Sequence, residues 1–311
     1  GRGRGAERAR ARDKGGRGAP GVEVRLNRIV TLLRSPTGVD FRRYKRNTIL
    51  RRLSRRMALQ GIGNFKEYAL EVQKNPAGAR ALHQDLLITV TAFFREPEAL
   101  DALRRTVFPR LFADTSREDP IRVWVAGCSS GEEAYTLAIC LTEFGNEGGH
   151  PARMQLFASD LNETAIEKAR AGRYGEAAME MVPPELRQRY FVRTDGHYQV
   201  SKTIREMCVF ARHNLAEDPP FSRVDLISCC NVLIYLGPVL QRRVLARFHY
   251  ALKSAGLLLL GPSDGVGPGA EFFQQLEKRQ RIFAKNTAVR PPVPDLTIPP
   301  ETPTARESAH L

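Results

Sequence analysis

The stretch VWVAGCSSGEEAY, residues 123–135, decides the fold. A β-branched run breaks here into Gly127, small polar residues and Gly131, and a helix-forming stretch follows. Strand, glycine turn and helix form the arrangement in which nucleotides bind at a helix N-terminus. A phosphate loop carries Lys and Ser or Thr after its last glycine, whereas Glu132 and Glu133 stand in that place. The stretch therefore predicts a fold of the nucleotide-binding type, but with a ligand that does not bind through a phosphate group.

Strand-like and helical segments alternate on both sides of this loop. Helical patterns cover residues 132–144, 162–171 and 239–252, and the strand-like runs are 121–126, 154–159, 208–213, 224–229 and 257–260. This alternation predicts an α/β fold in which helices cover both faces of a parallel sheet. Residues 190–207 interrupt the pattern. Two short runs flank Asp195-Gly196 there, which predicts a hairpin and hence a small antiparallel insertion.

The chain ahead of the α/β part has a helical pattern from Val22 to Phe112. Helices are expected at 41–59, from Asn64 to about Asn75, and at 77–88 and 97–112. In the first of these, Ile49, Leu50, Leu53 and Met57 share one stripe. We predict four segments: a disordered basic tail at 1–21, a helical domain at 22–116, an α/β domain at 117–288 and a proline-rich linker at 289–311. Both end segments are expected to connect to further domains.

Charge and composition narrow the class of protein. The net charge of +14 is concentrated in residues 1–19, which carry +5, and in residues 41–57, which carry +8. No apolar run approaches the length of a membrane span, so no membrane insertion is expected. The five cysteines have no paired metal-binding spacing, which favours reduced thiols in a cytoplasmic protein without a metal site.

Polar residues follow four of the five predicted strands, at the edge where open α/β sheets bind ligands. They are Gly127 to Glu133, Asp160, Asn214-Leu215 and Cys230-Asn231. The set is rich in carboxylates and amides and holds no cation for a phosphate. S-adenosylmethionine has a ribose, an ammonium and a sulfonium but no phosphate, and its charge fits this rim.

Other interpretations of these residues stay open. A dinucleotide site would have the spacing G-x-G-x-x-G, whereas this loop reads G-C-S-S-G, so the pattern favours a methyltransferase over a dehydrogenase. The two glutamates could simply satisfy the helix dipole, and Asp160 could cap the next helix. The run Asp218-Pro219-Pro220-Phe221 resembles the motif of amino-group methyltransferases. Because it precedes its strand instead of following it, we predict a turn there.

With these motifs the chain resembles the CheR family of chemotaxis-receptor glutamate methyltransferases over about residues 25–285. The matching motifs are TAFFRE (91–96), VWVAGCSSGEEAY (123–135), ASDLNETAIEKARAGRY (158–174), NL (214–215), CNVLIYL (230–236) and LLLLGPSD (257–264). The resemblance implies a class I S-adenosylmethionine-dependent, Rossmann-like methyltransferase domain with a small antiparallel β-insertion, preceded by a small all-α domain. The details look most like versions fused to methylesterase and sensory domains.

The resemblance also implies the site residues. Tyr235 is expected near the donor methyl group as the catalytic residue, and Arg95 should bind the cofactor carboxylate, since arginine binds carboxylates bidentately. Independently of the resemblance, Arg110 is a candidate partner for the incoming glutamate. The product would be S-adenosylhomocysteine. The implied cofactor contacts are Thr89, Thr91, Arg95, Gly127, Glu132, Glu133, Asp160, Asn214, Leu215 and Asn231.

This chain departs from the family pattern at several positions. Thr89 stands where members often carry asparagine, Cys230 replaces a usual arginine, and Asp264 follows Ser263 where glutamate is common. The first two favour an alternative function, a catalytically weakened cofactor-binding or receptor-docking domain of a sensory fusion. The hairpin loop 193–197 lacks the extra glycines of members that grip a receptor tether.

The basic segment 41–57 is the expected docking surface for the cytoplasmic domain of a methyl-accepting receptor. Receptor bundles are acidic near their methylation sites, so the segment would steer them in, with Arg46, Arg52 and Arg56 as docking residues. Nucleic-acid binding is the rival interpretation, but only Phe41 and Tyr44 interleave the cations, so a nucleic-acid partner is not expected. A solvated surface helix is the third possibility.

Overall fold

The structure is a computed structural model that describes residues 20–37, 39–113, 118–149 and 152–290. The predicted basic tail and proline-rich linker lie outside the described residues, except for residues 20–21 and 289–290. The described residues form two compact units. The first contains residues up to Arg42 together with Leu50–His83, and the second contains Arg43–Ile49 and the chain from Gln84 onward. The second unit thus begins well before the boundary that we predicted at residue 116.

The first unit is helical, as its pattern predicts. Its helices are α1 (Pro20–Thr37), α2 (Arg46–Leu59, in this unit from Leu50), α3 (Phe65–Lys74) and α4 (Pro76–Leu86, in this unit to His83). Asn64 caps α3, because its Oδ1 accepts from the backbone N–H of Glu67 at 2.9 Å. On α2, Leu53 and Met57 are buried and Leu50 is half-buried.

The helix that we predicted from residue 41 begins later. Phe41–Arg43 form one 3₁₀ turn, and α2 starts only at Arg46. Tyr44, between the two, makes an isolated antiparallel β-bridge with Leu236. A residue that pairs with a distant strand-like segment cannot also hold a helical backbone, so a long-range contact shortens the helix. Arg43–Ile49, which contain this bridge and the start of α2, belong to the second unit.

The second unit is built on a seven-stranded sheet of order β6-β2-β1-β7-β8-β10-β9 within the described residues. Its strands are β1 (Ile121–Ala126), β2 (Met154–Asp160), β6 (Cys208–Arg212), β7 (Val224–Cys229), β8 (Leu252–Leu260), β9 (Phe273–Glu277) and β10 (Ile282–Lys285). The five predicted strands pair in parallel, as expected. The last two strands were not predicted; β10 runs antiparallel to both β8 and β9.

Helices flank this sheet close to where the pattern placed them. They are α5 (Pro97–Ala102), α6 (Phe108–Leu111), α7 (Glu132–Glu147), α8 (Glu163–Ala171), α9 (Pro184–Tyr190), α10 (Lys202–Glu206) and α11 (Pro238–Ala251). The helix predicted at 97–112 contains a π-helical turn over Leu103–Val107. We attribute this turn to Pro109, which has no N–H to donate and would clash with the carbonyl four residues earlier.

The small antiparallel sheet is confirmed and has one more strand than predicted. Its order is β3-β5-β4, with β3 at Arg173–Gly175, β4 at Phe191–Thr194 and β5 at His197–Val200. Asp195 and Gly196 have φ values of 45° and 76°, which suits the tight hairpin turn predicted for Asp-Gly. The added strand β3 follows α8 directly and pairs with β5.

Alternate residues of β1 bury themselves on opposite faces of the large sheet. In the described part of the chain, Val123 and Val125 belong to one core cluster, while Trp124 and Ala126 belong to another with Phe248 of α11. Trp124 is fully buried, and its indole N–H donates to Oγ of Ser159 at 2.9 Å. The central strand is thus covered by packed side chains on both faces. Its carboxyl end, where the loop 127–131 begins, is therefore held in a fixed position. Among the described residues, no helix is long and apolar enough to cross a membrane.

Candidate active site

A cavity of about 470 Å³ lies within the second unit at the carboxyl ends of the parallel strands. Gly127 follows β1, Asp160 ends β2, Asn214 follows β6 and Asn231 follows β7, and all four line this cavity. Its volume is in the usual range for small-molecule sites. The polar residues that the sequence places after separate strands therefore meet in one place.

The loop after β1 depends on glycine at two positions. The N–H groups of Gly127 and Cys128 both donate to the carbonyl oxygen of Ser159, at 2.7 and 3.0 Å. Gly131 has φ 95°, and a Cβ there would lie 2.8 Å from Cβ of Ala169. A Cβ on Gly127 (φ 82°) would lie 2.3 Å from Cγ2 of Val232. The loop is therefore packed too closely for side chains at these two points.

Backbone strain gathers around the cavity. Among the described residues, six other than glycine have positive φ, and three of these line the cavity: Phe94 (50°), Ser129 (52°) and Asn231 (58°). A non-glycine residue in the left-handed region costs on the order of 1–3 kcal/mol, and such residues cluster at functional sites. The strain is independent support for the location of the site.

Asp160 is held by the backbone around it. Its Oδ2 accepts from the N–H of Ser129 at 2.9 Å, and its Oδ1 accepts from the N–H of Asn162 at 2.8 Å. Burial raises the pKa of this carboxyl, and the backbone N–H groups oppose the rise. The residue that caps α8 is Asn162, whose Oδ1 accepts from the N–H of Ala165. The remaining lone pairs of Asp160 suit hydroxyl groups of a ligand.

The two glutamates at the start of α7 have different surroundings. Glu133 lines the cavity and accepts from Oγ of Ser228 at 2.6 Å. Burial raises its pKa to about 7, although hydrogen bonds from Ser228 and Cys230 lower it. Glu132 is only 4% exposed, accepts from Oγ of Ser130 and lies 3.7 Å from Nζ of Lys168. It is not among the described residues that line the cavity.

The TAFFRE motif contributes a third side of the site. Thr91 and Arg95 line the cavity, and Arg95 Nη1 donates to the carbonyl oxygen of Val90 at 3.0 Å. Glu96, which we did not single out, lines it too, and burial raises its pKa while Arg95 lowers it. Thr89 is exposed and is absent from the lining that the described residues form. Glu96 could have been found from its place inside the motif.

The turn after β7 carries Tyr235 into the cavity wall. Asp264 fixes this turn, because its carboxylate accepts from the N–H groups of Asn231 and Ile234. Tyr235 is half-buried and lines the cavity together with Cys230. Asp264 is buried, and burial raises its pKa against the pull of these backbone N–H groups. The sequence marked this aspartate only as a departure from the family pattern, and its supporting role was missed.

Two further sequence predictions meet different outcomes. The turn predicted at 218–221 lies earlier, at residues 215–217 with a bend at Asp218, and residues 219–221 are irregular. Asp218 accepts from the N–H of Asn214 at 2.7 Å, and Phe221 stacks on Phe157 with ring centroids 4.9 Å apart. None of the residues 218–221 belongs to the described cavity lining. Arg110 lies exposed on α6 and is likewise outside that lining, so nothing in the geometry supports it as a partner of the substrate.

The chemistry of the lining fits S-adenosylmethionine. Glu96, Glu133 and Asp160 offer carboxylates for an ammonium, a sulfonium and ribose hydroxyls, and Arg95 is the only lysine or arginine among the described lining residues. One arginine suits a single carboxylate, such as that of a methionine moiety. It would be a poor match for the phosphates of a dinucleotide. The sheet, the glycine turn and this lining define the class of S-adenosylmethionine-dependent methyltransferases.

Comparison with known proteins identifies the family. Residues 89–282 match "CheR methyltransferase, SAM binding domain" and residues 25–87 match "CheR methyltransferase, all-alpha domain". The chain belongs to the CheR methyltransferase family, and its cofactor is S-adenosylmethionine.

Named relatives agree with this assignment. The chain is 33% identical over 270 residues to the chemotaxis protein methyltransferase of Escherichia coli, covering 83% of this chain and 87% of that one. It is 38% identical over 272 residues to an uncharacterized 104.1 kDa protein of Rhodobacter capsulatus, covering 88% of this chain but 28% of that protein. A solved SAM-dependent methyltransferase from Methanosarcina mazei is 20% identical, with a TM-score of 0.29 over 46% of this chain and 53% of that one. That TM-score supports no conclusion.

Proposed function

We propose that this chain is a protein-glutamate O-methyltransferase that esterifies glutamate side chains on the cytoplasmic domain of chemotaxis receptors. The observation that carries the proposal is that Arg95, Glu133, Asp160 and Tyr235 line one cavity in a chain of the CheR family. The names of the relatives, chemotaxis protein methyltransferases, supply the substrate class. A receptor substrate of this kind implies that the enzyme works in the cytoplasm.

The reaction requires positioning more than acid–base chemistry. A glutamate carboxylate has a pKa of about 4.3 and is ionised at pH 7, so no general base is needed. Bound S-adenosylmethionine supplies an electrophilic methyl group on its sulfonium. The residues of this chain would align the incoming carboxylate and exclude water, and such orientation is worth roughly 7–11 kcal/mol in favourable cases. We assign the alignment to Tyr235.

Each polar residue of the cavity then has a role in holding the cofactor. We assign the cofactor ammonium to Glu133, the cofactor carboxylate to Arg95 and the ribose hydroxyls to Asp160. Asn214, Leu215 and Asn231 would complete the nucleoside contacts, with Gly127 and Thr91 beside them. The lining geometry gives Thr89 and Glu132 no such role, because neither is among the described residues that face the cavity.

Receptor docking is assigned to α2, which carries five arginines and no acid. We expected Arg46, Arg52 and Arg56 to be largely free, but each is half-buried beside the apolar stripe of the helix. Arg51 and Arg55, one helical turn apart, are the exposed pair. In the docking surface that we propose, Arg51 and Arg55 are therefore the exposed arginines and the predicted three are less exposed.

Two further proposals concern the partner domains of this chain and the alternative that its catalytic activity is weakened. We expect a methylesterase domain and sensory domains as fused or associated partners, and this chain spans only 28% of one relative. The alternative of a catalytically weakened binding domain has Cys230 in its favour, because Cys230 lines the cavity where the family usually has arginine. Family membership does not favour that alternative.

The test is a transfer assay with labelled S-adenosylmethionine and cytoplasmic receptor fragments. We expect label on the receptor that mild base releases as volatile methanol, because a carboxyl ester hydrolyses and a methylated amine does not. Receptor fragments with glutamine at the acceptor glutamates are the matched control. Label that resists base would refute the carboxylate assignment, and binding of S-adenosylhomocysteine without any transfer would favour the binding-domain alternative.

A further inference from the structure

The segment Arg43–Ile49 supplies a wall of the cavity that the sequence motifs do not include. Tyr44 and Thr48, four residues apart, both line the cavity. The segment precedes the nearest strand of the sheet by more than seventy residues of chain, yet it clusters with the second unit. Something must hold it at the cavity.

Backbone pairing holds it there. The N–H of Lys45 donates to the carbonyl oxygen of Tyr235, and the N–H of Gly237 donates to the carbonyl oxygen of Arg43, both at 2.8 Å. These two bonds flank the bridge between Tyr44 and Leu236. A Cβ on Gly237 would lie 2.8 Å from the carbonyl oxygen of Arg43, so glycine is needed for the approach. We call Arg43–Ile49 the strap.

Tyr44 lines the cavity together with Asp160 and Asn214, the residues assigned to the nucleoside. Burial raises the pKa of its phenol above the usual range, and the carboxylates of Asp160 and Glu217 raise it further. Asp160 is the residue assigned to ribose, and Oε2 of Glu217 accepts a hydrogen bond from Nδ2 of Asn214, which lines the same cavity. The phenol is therefore neutral, half-buried and near the groups that would surround an adenosine.

We propose that Tyr44 is a cofactor-binding residue that covers the adenosine part of S-adenosylmethionine, and that the strap positions it. An aromatic ring is a good surface for a nucleobase, since stacking tolerates any base. The same backbone bonds join the strap to the residues on either side of Leu236, so the cover over the nucleoside and the placement of Tyr235 depend on one pairing. The inference rests on the proposed function only for the identity of the cofactor.

Calorimetric titration with S-adenosylhomocysteine, without receptor, tests the role of Tyr44. We expect Tyr44→Ala to weaken binding roughly tenfold and Tyr44→Phe to stay within about threefold of the parent, because the ring makes the contact. Tyr250→Ala is the matched control, since Tyr250 is 45% exposed and outside the described lining. Equal affinities of Tyr44→Ala and Tyr250→Ala would overturn the proposal. Should Tyr44→Ala fail to fold by circular dichroism, Tyr44→Leu replaces it with the same expectation.

The strap itself is tested through Gly237. Gly237→Ala should weaken S-adenosylhomocysteine binding several-fold, whereas Gly175→Ala should not, because a Cβ on Gly175 meets nothing within 4 Å. Affinity unchanged in a folded Gly237→Ala protein would show that the pairing does not position Tyr44. Because the ligand is titrated without receptor, a base-stable label in the transfer assay would refute the glutamate assignment and leave this result intact.

Discussion

The carboxylates of the cavity and the arginines of α2 differ in how their charged groups are held. Asp160 is fixed by two backbone N–H groups, and Glu133 is fixed by the hydroxyl of Ser228. Arg51 and Arg55 project from a regular helix into solvent. The first region is strained, half-buried and built from several separate segments of chain. The second is one continuous stretch of chain.

This difference predicts how each region recognises its ligand. A charge that is already fixed and partly shielded from water interacts strongly, because the effective dielectric constant is low and no side chain has to be ordered. An exposed ion pair is worth about 1 kcal/mol at most, and salt screens it. The cavity should therefore depend on single residues, whereas docking on α2 should depend on several residues acting together.

The largest expected effect is the loss of Asp160. Asp160→Ala should weaken S-adenosylhomocysteine binding at least about a hundredfold, since hydrogen bonds to a charged group are worth roughly 1.5–3 kcal/mol each. Calorimetric titration measures it. The control is Asp119→Ala, an exposed aspartate paired with Arg223, which should leave affinity unchanged. Thermal melts of both variants separate loss of binding from loss of the loop. Unchanged affinity in Asp160→Ala would contradict the assignment of the site.

Charge reversal on α2 should have the next largest effect and should spare the cofactor. Arg51→Glu combined with Arg55→Glu should lower kcat/KM for receptor methylation roughly tenfold to thirtyfold, because attraction becomes repulsion. Added salt should reduce the difference from the parent protein. The affinity for S-adenosylhomocysteine should not change. Reversing Arg46, Arg52 and Arg56 should abolish receptor methylation, although their half-burial requires a check of the fold by circular dichroism.

The matched control for this experiment is Lys66→Glu with Lys74→Glu, which changes the charge equally on the exposed surface of α3. It should leave receptor methylation near the parent rate. Truncating the C-terminal tail of the receptor should also change little, because the hairpin at Asp195-Gly196 is only a tight turn. If tail truncation abolished methylation and the α2 reversals did not, docking would have to be reassigned to the hairpin.

The smallest effect expected is a pH dependence that comes from Glu133. Its pKa is raised to about 7, so it gains charge as the pH rises through 7, and an ionised carboxylate binds the cofactor ammonium better. Affinity for S-adenosylhomocysteine should therefore rise about tenfold from pH 6 to pH 8. Glu133→Gln should remove the dependence, whereas Glu132→Gln should keep it, because Glu132 does not face the cavity among the described residues. A flat profile in the parent protein would be evidence against this role.

The elements that the sequence predicted are those whose pattern is local. The five parallel strands can be recognised in the sequence as mainly apolar runs such as Val224–Cys229. The hairpin turn can be recognised from its Asp195-Gly196 pair. The strands β9, β10 and β3 were missed because each has only three to five residues and has no turn signature beside it like that of Asp195-Gly196. The start of α2 was missed because Tyr44 pairs with Leu236, which lies far along the chain.

By itself the sequence determined that polar residues end the strands, that their ligand lacks phosphate and that the motifs are those of the CheR family. Only the tertiary structure decided which of them face the cavity. Glu132 and Glu133 are the same residue type side by side, but successive residues of a helix point about 100° apart. One therefore lies beside Ser228 in the cavity wall and the other beside Lys168. Tyr44 and Thr48 join that wall through pairing across nearly two hundred residues, which no local pattern encodes.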